Sequence, residues 1–172
     1  MKLAYTLADA QGATNVLLAD LATRLMDDGL RLCGTAQYDI ERPDTHRCDM
    51  DVQVLPDGPV IRISQSLGPQ ARGCRLDPDA LEQAVALTEE RMLSGVDLLI
   101  INKFGKHESE GRGFRETIAR AAALDIPILV GANKLNLEAL QMFCDGAIDR
   151  IDPTPDALMA WVQATVTPAR VA

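Results

Sequence analysis

The sequence predicts an α/β fold, a three-layer sandwich in which helices cover both faces of a mostly parallel sheet. Short aliphatic or β-branched segments alternate along the chain with longer segments of helical periodicity. The first residues form a strand, a turn and an amphipathic helix in succession. Residues 96–101 are almost all aliphatic, as in a central strand buried on both faces. The 172 residues are therefore expected to form one domain at 1–168, with a short tail at 169–172.

Local signals justify each element. Apolar residues recur on one side of the first helix, and Gly29 ends it. A Pro-Asp-Gly turn at 56–58 joins two strands of a hairpin, and Asp77 and Pro78 form a helix N-cap and first turn. The polar segment 39–49 is expected to be the least ordered. The predicted elements are a strand at 2–7, a helix at 13–28, a strand at 31–37, a hairpin at 52–55 and 60–63, a helix at 78–95, a strand at 96–101, a helix at 113–124, a strand at 126–130, a helix at 136–143, a strand at 147–151 and a helix at 155–166.

The composition excludes several classes of protein. Hydrophobic residues make up 47% and charged residues 24% of the chain, as in globular proteins, and the longest apolar run is too short to span a bilayer. The amino terminus lacks the features of a signal peptide, so a cytoplasmic location is expected. A net charge of -8 argues against a nucleic-acid partner. The four cysteines have no CxxC spacing, which predicts neither a disulfide framework nor a zinc ribbon.

The turn after the first strand is the first candidate site. Residues 7–14, here called the phosphate loop, read Leu-Ala-Asp-Ala-Gln-Gly-Ala-Thr, where a P-loop nucleotide hydrolase would present GxxxxGK[ST]. Gly12 permits a close backbone approach to a phosphate, and Thr14 can offer a hydroxyl to a metal ion. Ala13 stands at the lysine position. The alternative interpretation is an ordinary strand-to-helix turn.

A second block follows the central strand. Residues 97–108 have the form of a Walker B strand, but Asn102 and Lys103 stand where an acidic pair would bind magnesium. Glu108 is a candidate general base or water-orienting residue, with Lys106 close to it in sequence. The alternative is that Glu108 is a solvated loop carboxylate.

Basic residues are concentrated in two segments of this acidic chain. Segments 62–75 and 102–115 together contain seven basic and two acidic residues. In a doubly wound sheet both can reach the carboxyl edge of the strands, where ligands bind. Arginine forks and backbone N–H groups suit tetrahedral oxyanions. The alternative is that the arginines pair with surface acids.

Two further motifs are interpreted as coincidences. Residues 133–136, Asn-Lys-Leu-Asn, are similar to the Asn-Lys-x-Asp motif that reads guanine, but Asn136 also fits a helix cap. His46, Cys48, Cys74 and His107 are metal-ligand types, yet their scattered spacing does not predict a metal site.

Segments 68–78 and 102–115 carry a more specific resemblance. They are similar to DUF2478, a bacterial family of nucleoside-triphosphatase-like domains associated with molybdate-transport genes, and the resemblance spans nearly the whole chain. More distantly, the chain resembles the cancer-related P-loop nucleoside triphosphatases. Their second motif runs Asp-Glu, hydrophobic, Gly-Lys and then Glu. Gly105, Lys106 and Glu108 keep that pattern, whereas Asn102 and Lys103 depart from it.

These observations lead to one main functional hypothesis and two alternatives. The resemblance implies a degenerate P-loop protein that binds molybdate, tungstate or a nucleotide phosphate, with an accessory role in molybdenum metabolism. The expected cofactor is a nucleotide with magnesium, or molybdate. The alternatives are a slow magnesium-dependent nucleoside triphosphatase and a non-catalytic interaction module, and a homo-oligomer is expected. The predicted catalytic residues are Glu108 and Lys106, and the predicted binding residues are Gln11, Gly12, Ala13, Thr14, Arg72, Arg75, Asn102, Lys103, Arg112 and Arg115.

Overall fold

The computed structural model describes residues 2–41, 48–65 and 76–166. Within them, one seven-stranded sheet has the order β4-β3-β2-β5-β6-β1-β7. Its strands are β1 (Leu3–Thr6), β2 (Leu32–Glu41), β3 (Cys48–Val54), β4 (Val60–Arg62), β5 (Leu98–Asn102), β6 (Ile128–Gly131) and β7 (Asp149–Ile151). The helices are α1 (Ala13–Asp27), α2 (Pro78–Met92), α3 (Lys106–Ser109), α4 (Arg115–Ala123), α5 (Leu137–Phe143) and α6 (Pro155–Thr165).

The sheet is parallel except at one edge. Strands β2, β5, β6, β1 and β7 run in one direction, whereas β3 and β4 are antiparallel additions beside β2. Alternate residues of β5 enter two separate cores. Leu99 and Ile101 pack on the side of α2 and α4, and Leu98 and Ile100 pack on the side of α1 and α6. The predicted three-layer α/β sandwich is confirmed.

The segment 39–49 differs from its prediction. Its first three residues continue β2 to Glu41, and β3 begins at Cys48, so residues on both sides of 42–47 belong to a long antiparallel ladder. Residues 42–47 themselves lie outside the described part of the chain. The polarity of 39–41 is explained by exposure, because the outer half of β2 faces solvent and needs no apolar residues there.

The carboxyl ends of the three central strands create the place for a site. Thr6 of β1 and Asn102 of β5 both pair in register with Gly131 of β6, so these residues form one row across the sheet. A side chain on Gly131 would lie 2.7 Å from Leu18 Cδ1. Glycine at this position therefore allows α1 to pack closely over the row, and it brings the first turn of α1 above the strand ends.

Candidate functional site

The phosphate loop joins β1 to α1. Gly12 is the N-cap of α1 and has φ 76°, in the left-handed region that favours glycine. The Thr14 hydroxyl accepts a hydrogen bond from the Ala8 backbone N–H at 2.9 Å and ties the start of the loop to the helix. Among the described residues, the backbone N–H groups of Gln11, Gly12 and Thr14 have no partner. They are donors available to an anion at the positive end of a 15-residue helix.

Lys103 adds charge to the same place. With the phosphate loop and residues 132–134, it lines a cavity of about 200 Å³, here called the phosphate-loop cavity. Lys103 is half-buried, and its ammonium has no ion pair within the described residues. A lysine that directly follows β5 thus lines the cavity of a loop whose own lysine position is Ala13.

The phosphate-loop cavity also contains a base that the sequence reasoning did not assign. Lys134 lines it and pairs with Asp9 at 2.7 Å. This contact lowers the pKa of the Asp9 carboxyl below its usual value. The signal in the sequence was the position of Lys134 just after a predicted parallel strand, at the edge where ligands bind.

Asp39 of β2 lies beside the phosphate loop. Its Oδ2 accepts a hydrogen bond from Asn15 Nδ2 at 2.7 Å, and its Oδ1 accepts one from Gln37 Nε2 at 2.9 Å. A Cβ placed on Gly12 would be 3.4 Å from Oδ2. A cleft of about 1000 Å³, here called the acidic cleft, is lined by Asp39, the phosphate loop and Lys103, among others.

Asn102 lies under the loop with unsatisfied polar atoms. Its side chain is 2% exposed, and neither its carboxamide nitrogen nor its oxygen has a partner in the described part of the chain. Its Oδ1 and the Thr14 Cγ2 are 3.4 and 3.3 Å from the position that a Cβ on Gly131 would take. The carboxamide therefore faces the first turn of α1. Buried polar groups usually have a partner, so this pair of atoms suggests an absent one.

Glu108 holds the loop around α3 together. It is 2% exposed, and its two carboxylate oxygens accept hydrogen bonds from the backbone N–H groups of Gly105, at 2.9 Å, and Phe114, at 3.3 Å. Burial raises the pKa of Glu108, and the backbone hydrogen bonds partly offset that rise. A side chain on Gly113 would collide with Glu108 Oε1 at 2.3 Å.

Glu108 and Lys106 line a different space from the phosphate loop. Together with Lys103 and Asn102 they border a cavity of about 240 Å³, which no residue of the phosphate loop lines. The catalytic assignments of Glu108 and Lys106 stay predictions. The contacts of Glu108 indicate a role in positioning the backbone.

Other basic residues of 102–115 are engaged by neighbours. The Lys106 Nζ lies 3.6 Å from Glu110, and the Arg112 guanidinium lies 2.7 Å from the same carboxylate. The Arg115 guanidinium stacks 4.4 Å from the Phe143 ring centroid and contacts a backbone carbonyl. None of the three lines the phosphate-loop cavity.

The other basic segment, 62–75, contributes one basic residue to the described structure. Arg62 binds Asp49 at 3.0 Å and Asp51 at 2.9 Å, in agreement with the alternative that arginines pair with surface acids. Arg72 and Arg75 lie outside the described residues. The meeting of the two basic segments stays a prediction.

The remaining motifs are described only in part, because His46 and Cys74 lie outside the described residues. Asn136 is the N-cap residue of α5, and Asn133 Oδ1 accepts hydrogen bonds from its backbone N–H, at 3.0 Å, and from its side chain, at 2.9 Å. His107 is buried and contacts Glu82 at 3.2 Å. The described residues contain no group of three or more histidines, cysteines or acids able to hold a metal ion. They also contain no helix that is long and apolar enough to cross a membrane.

Comparison with known proteins identifies relatives of the chain. A family model described as a protein of unknown function, DUF2478, matches residues 3–161. The molybdenum import ATP-binding protein ModC 2 of Bradyrhizobium diazoefficiens is 34% identical over 166 residues. This match covers 95% of the chain but only 18% of that relative. The solution structure of a human cancer-related nucleoside triphosphatase matches with a TM-score of 0.67 at 17% identity, over 97% of this chain and 100% of the other, so the two share a fold.

Proposed function

The chain belongs to the DUF2478 family, and we propose that it binds the phosphates of a nucleotide, or a smaller oxyanion such as molybdate or tungstate, with little turnover. The single observation that carries this proposal is the position of Lys103. Lys103 is half-buried, has no ion pair in the described structure and shares a cavity with the free N–H groups of the phosphate loop. An anion there would gain charge-assisted hydrogen bonds, which are stronger than neutral ones.

The replaced residues argue for slow chemistry. Ala13 removes the lysine that a P-loop places on the transferred phosphate, and Asn102 removes the acid of the second motif. Removing one charge-stabilising group in phosphoryl transfer costs on the order of 10³ to 10⁵ in rate. Lys103 restores positive charge near the loop, but it follows β5 and is not part of the loop itself. Binding is therefore expected to survive better than hydrolysis.

The link to molybdenum comes from one relative. The matching part of that protein, whose name describes molybdenum import and ATP binding, has the length of this domain. We infer an accessory role in molybdenum metabolism, in which the domain senses either a nucleotide or the transported oxyanion. Both ligands present tetrahedral oxygens to the same donors, so the experiment must separate them.

Calorimetric titration of the full chain tests the proposal with ATP, ADP, inorganic phosphate and molybdate as separate ligands. Lys103→Ala should weaken binding of the ligand at least about tenfold, or about 1.4 kcal/mol, because it removes a cation that has no ion pair among the described residues. Lys106→Ala is the matched control, because Lys106 is exposed, pairs with Glu110 and lies outside that cavity.

Two results would contradict the proposal. One is equal affinity in wild type and Lys103→Ala. The other is the absence of heat and of thermal stabilisation with all four ligands, since a ligand that binds the folded state raises its stability. The latter result would favour the non-catalytic interaction module.

A further inference from the structure

We propose that Asp39 supplies the negative charge that Asn102 lacks: its carboxylate holds the divalent cation that accompanies a nucleotide's phosphates. The phosphate loop would then select a phosphate chain that carries a cation over a bare oxyanion. This inference rests on the proposed function and narrows its ligand class. The residue belongs to β2, in the polar segment 39–49 that was expected to be the least ordered.

Two buried amides fix the Asp39 carboxylate. Asn15 and Gln37 are 4% and 3% exposed, yet their side-chain N–H groups point at an exposed carboxylate. Within the described residues, each Asp39 oxygen receives one hydrogen bond and keeps a further lone pair. Oxygen lone pairs of carboxylates are the protein ligands that magnesium prefers. The amides thus orient the group without satisfying it fully.

The carboxylate is close to where the phosphates would lie. A Cβ on Gly12 would be 3.4 Å from Asp39 Oδ2, so only the missing side chain separates the acid from the loop backbone. Lys103 lines the same acidic cleft, but no ion pair joins it to Asp39 among the described residues. Both charges remain available to a ligand. A bare dianion would meet repulsion from Asp39, which a bound cation would turn into attraction.

Asn102 provides an independent sign of an absent group. Its carboxamide is buried without a partner in the described structure and faces Thr14 across Gly131. Its oxygen can accept a hydrogen bond from a water on a hydrated cation, but it contributes no charge. Magnesium keeps several waters and takes few carboxylates. Asp39 supplies the carboxylate of this donor chemistry from the acidic cleft, while Thr14 lines the adjoining phosphate-loop cavity and Asn102 lines the cavity beside α3. The remaining ligands of the cation would then be waters and phosphate oxygens.

The test compares affinities with and without a cation. Full-length wild type, Asp39→Asn and Asp20→Asn are titrated with ATP in magnesium, ATP in EDTA, and molybdate. Asp20 is the matched control, because it is an exposed acid that lines the same cleft and makes no contact with Gly12. Manganese bound with ATP is measured in parallel by electron paramagnetic resonance.

Wild type and Asp20→Asn should bind ATP with magnesium more tightly than ATP in EDTA. Asp39→Asn should reduce the ratio of the ATP affinity in magnesium to the ATP affinity in EDTA about fivefold to tenfold. This is the effect of one unit charge a few ångströms from another in a water-filled cleft. It should also tighten molybdate binding and weaken manganese binding. Asp39→Glu, which keeps the charge, should retain part of the ratio.

The inference is overturned if Asp39→Asn and Asp20→Asn give the same ratio, or if wild type binds ATP equally in magnesium and EDTA. If either result occurs while Lys103→Ala still weakens binding, the proposed function stands and only the role of Asp39 fails. No binding by wild type would overturn both.

Discussion

The two ends of segment 102–115 differ in what their charges do. At the first end, Lys103 has no ion pair in the described structure and lies beside free backbone donors. At the other end, Lys106 and Arg112 share Glu110, and Arg115 stacks on an aromatic ring. A surplus of basic residues in a sequence gives the local net charge of a segment. A binding site needs basic side chains that are not already paired with neighbouring groups.

The engaged end is organised around one buried acid. Glu108 binds two backbone N–H groups, one at the start of α3 and one at the start of α4. The loop between these helices is therefore held by a carboxylate from inside. This arrangement predicts that the part of the segment around Glu108 determines the stability of the fold. The part around Lys103 is expected to determine the affinity for an anion.

The largest expected effect is on stability. Glu108→Ala leaves the N–H groups of Gly105 and Phe114 without an acceptor, and a stranded buried donor costs about 1–3 kcal/mol. We expect a loss of about 3 kcal/mol in the free energy of unfolding, measured by urea denaturation. Glu110→Ala, which removes an exposed acid, is the control. A small and equal change in the free energy of unfolding of both variants would contradict the structural role of Glu108.

A smaller effect is expected at Arg115. Arg115→Ala removes the guanidinium above Phe143, a contact of the kind that contributes about 0.5–1 kcal/mol. The free energy of unfolding should fall by about that amount, while the affinity for ATP or molybdate stays unchanged. Arg115→Met keeps the apolar stem and should recover part of the stability. A loss of affinity for ATP or molybdate in both variants would support the prediction that Arg115 is a binding residue.

The smallest effect is expected at Glu110. Glu110→Gln releases Lys106 and Arg112 from their shared carboxylate and so creates two further unpaired cations. Exposed ion pairs contribute little, so thermal stability should hardly change. Anion affinity should also stay the same, because neither cation lines the phosphate-loop cavity. A clear increase in calorimetric affinity would show that charge alone, without position, makes the site.

The fold could be predicted because its central elements carry strong local signals. The aliphatic run of β5 and the strand, turn and helix at the amino terminus are visible without any tertiary information. Asp77 accepts hydrogen bonds from two N–H groups of α2, as its N-cap position predicted. The end of β5, at Asn102 and just before Lys103, was predicted to within one residue for the same reason.

The missed parts depend on contacts that are distant in sequence. Asp39 lies beside Gly12 because β2 continues to Glu41 and pairs with β3, whereas its polar segment was expected to be the least ordered. Lys134 reaches the phosphate-loop cavity from the end of β6. The charge sum also failed to distinguish paired from unpaired residues, because the partner of each side chain is a property of the folded chain.

The two outermost strands of the sheet formed by the described residues limit how this domain can associate. Strands β4 and β7 have three residues each, so either edge offers a neighbouring chain few unpaired backbone groups. Arg62 of β4 also places a charge on its edge. Sheet extension from one copy to the next is therefore disfavoured, which protects the domain against aggregation through its edges. If a homo-oligomer forms, as the sequence reasoning expects, its contacts should come from helical or loop surfaces.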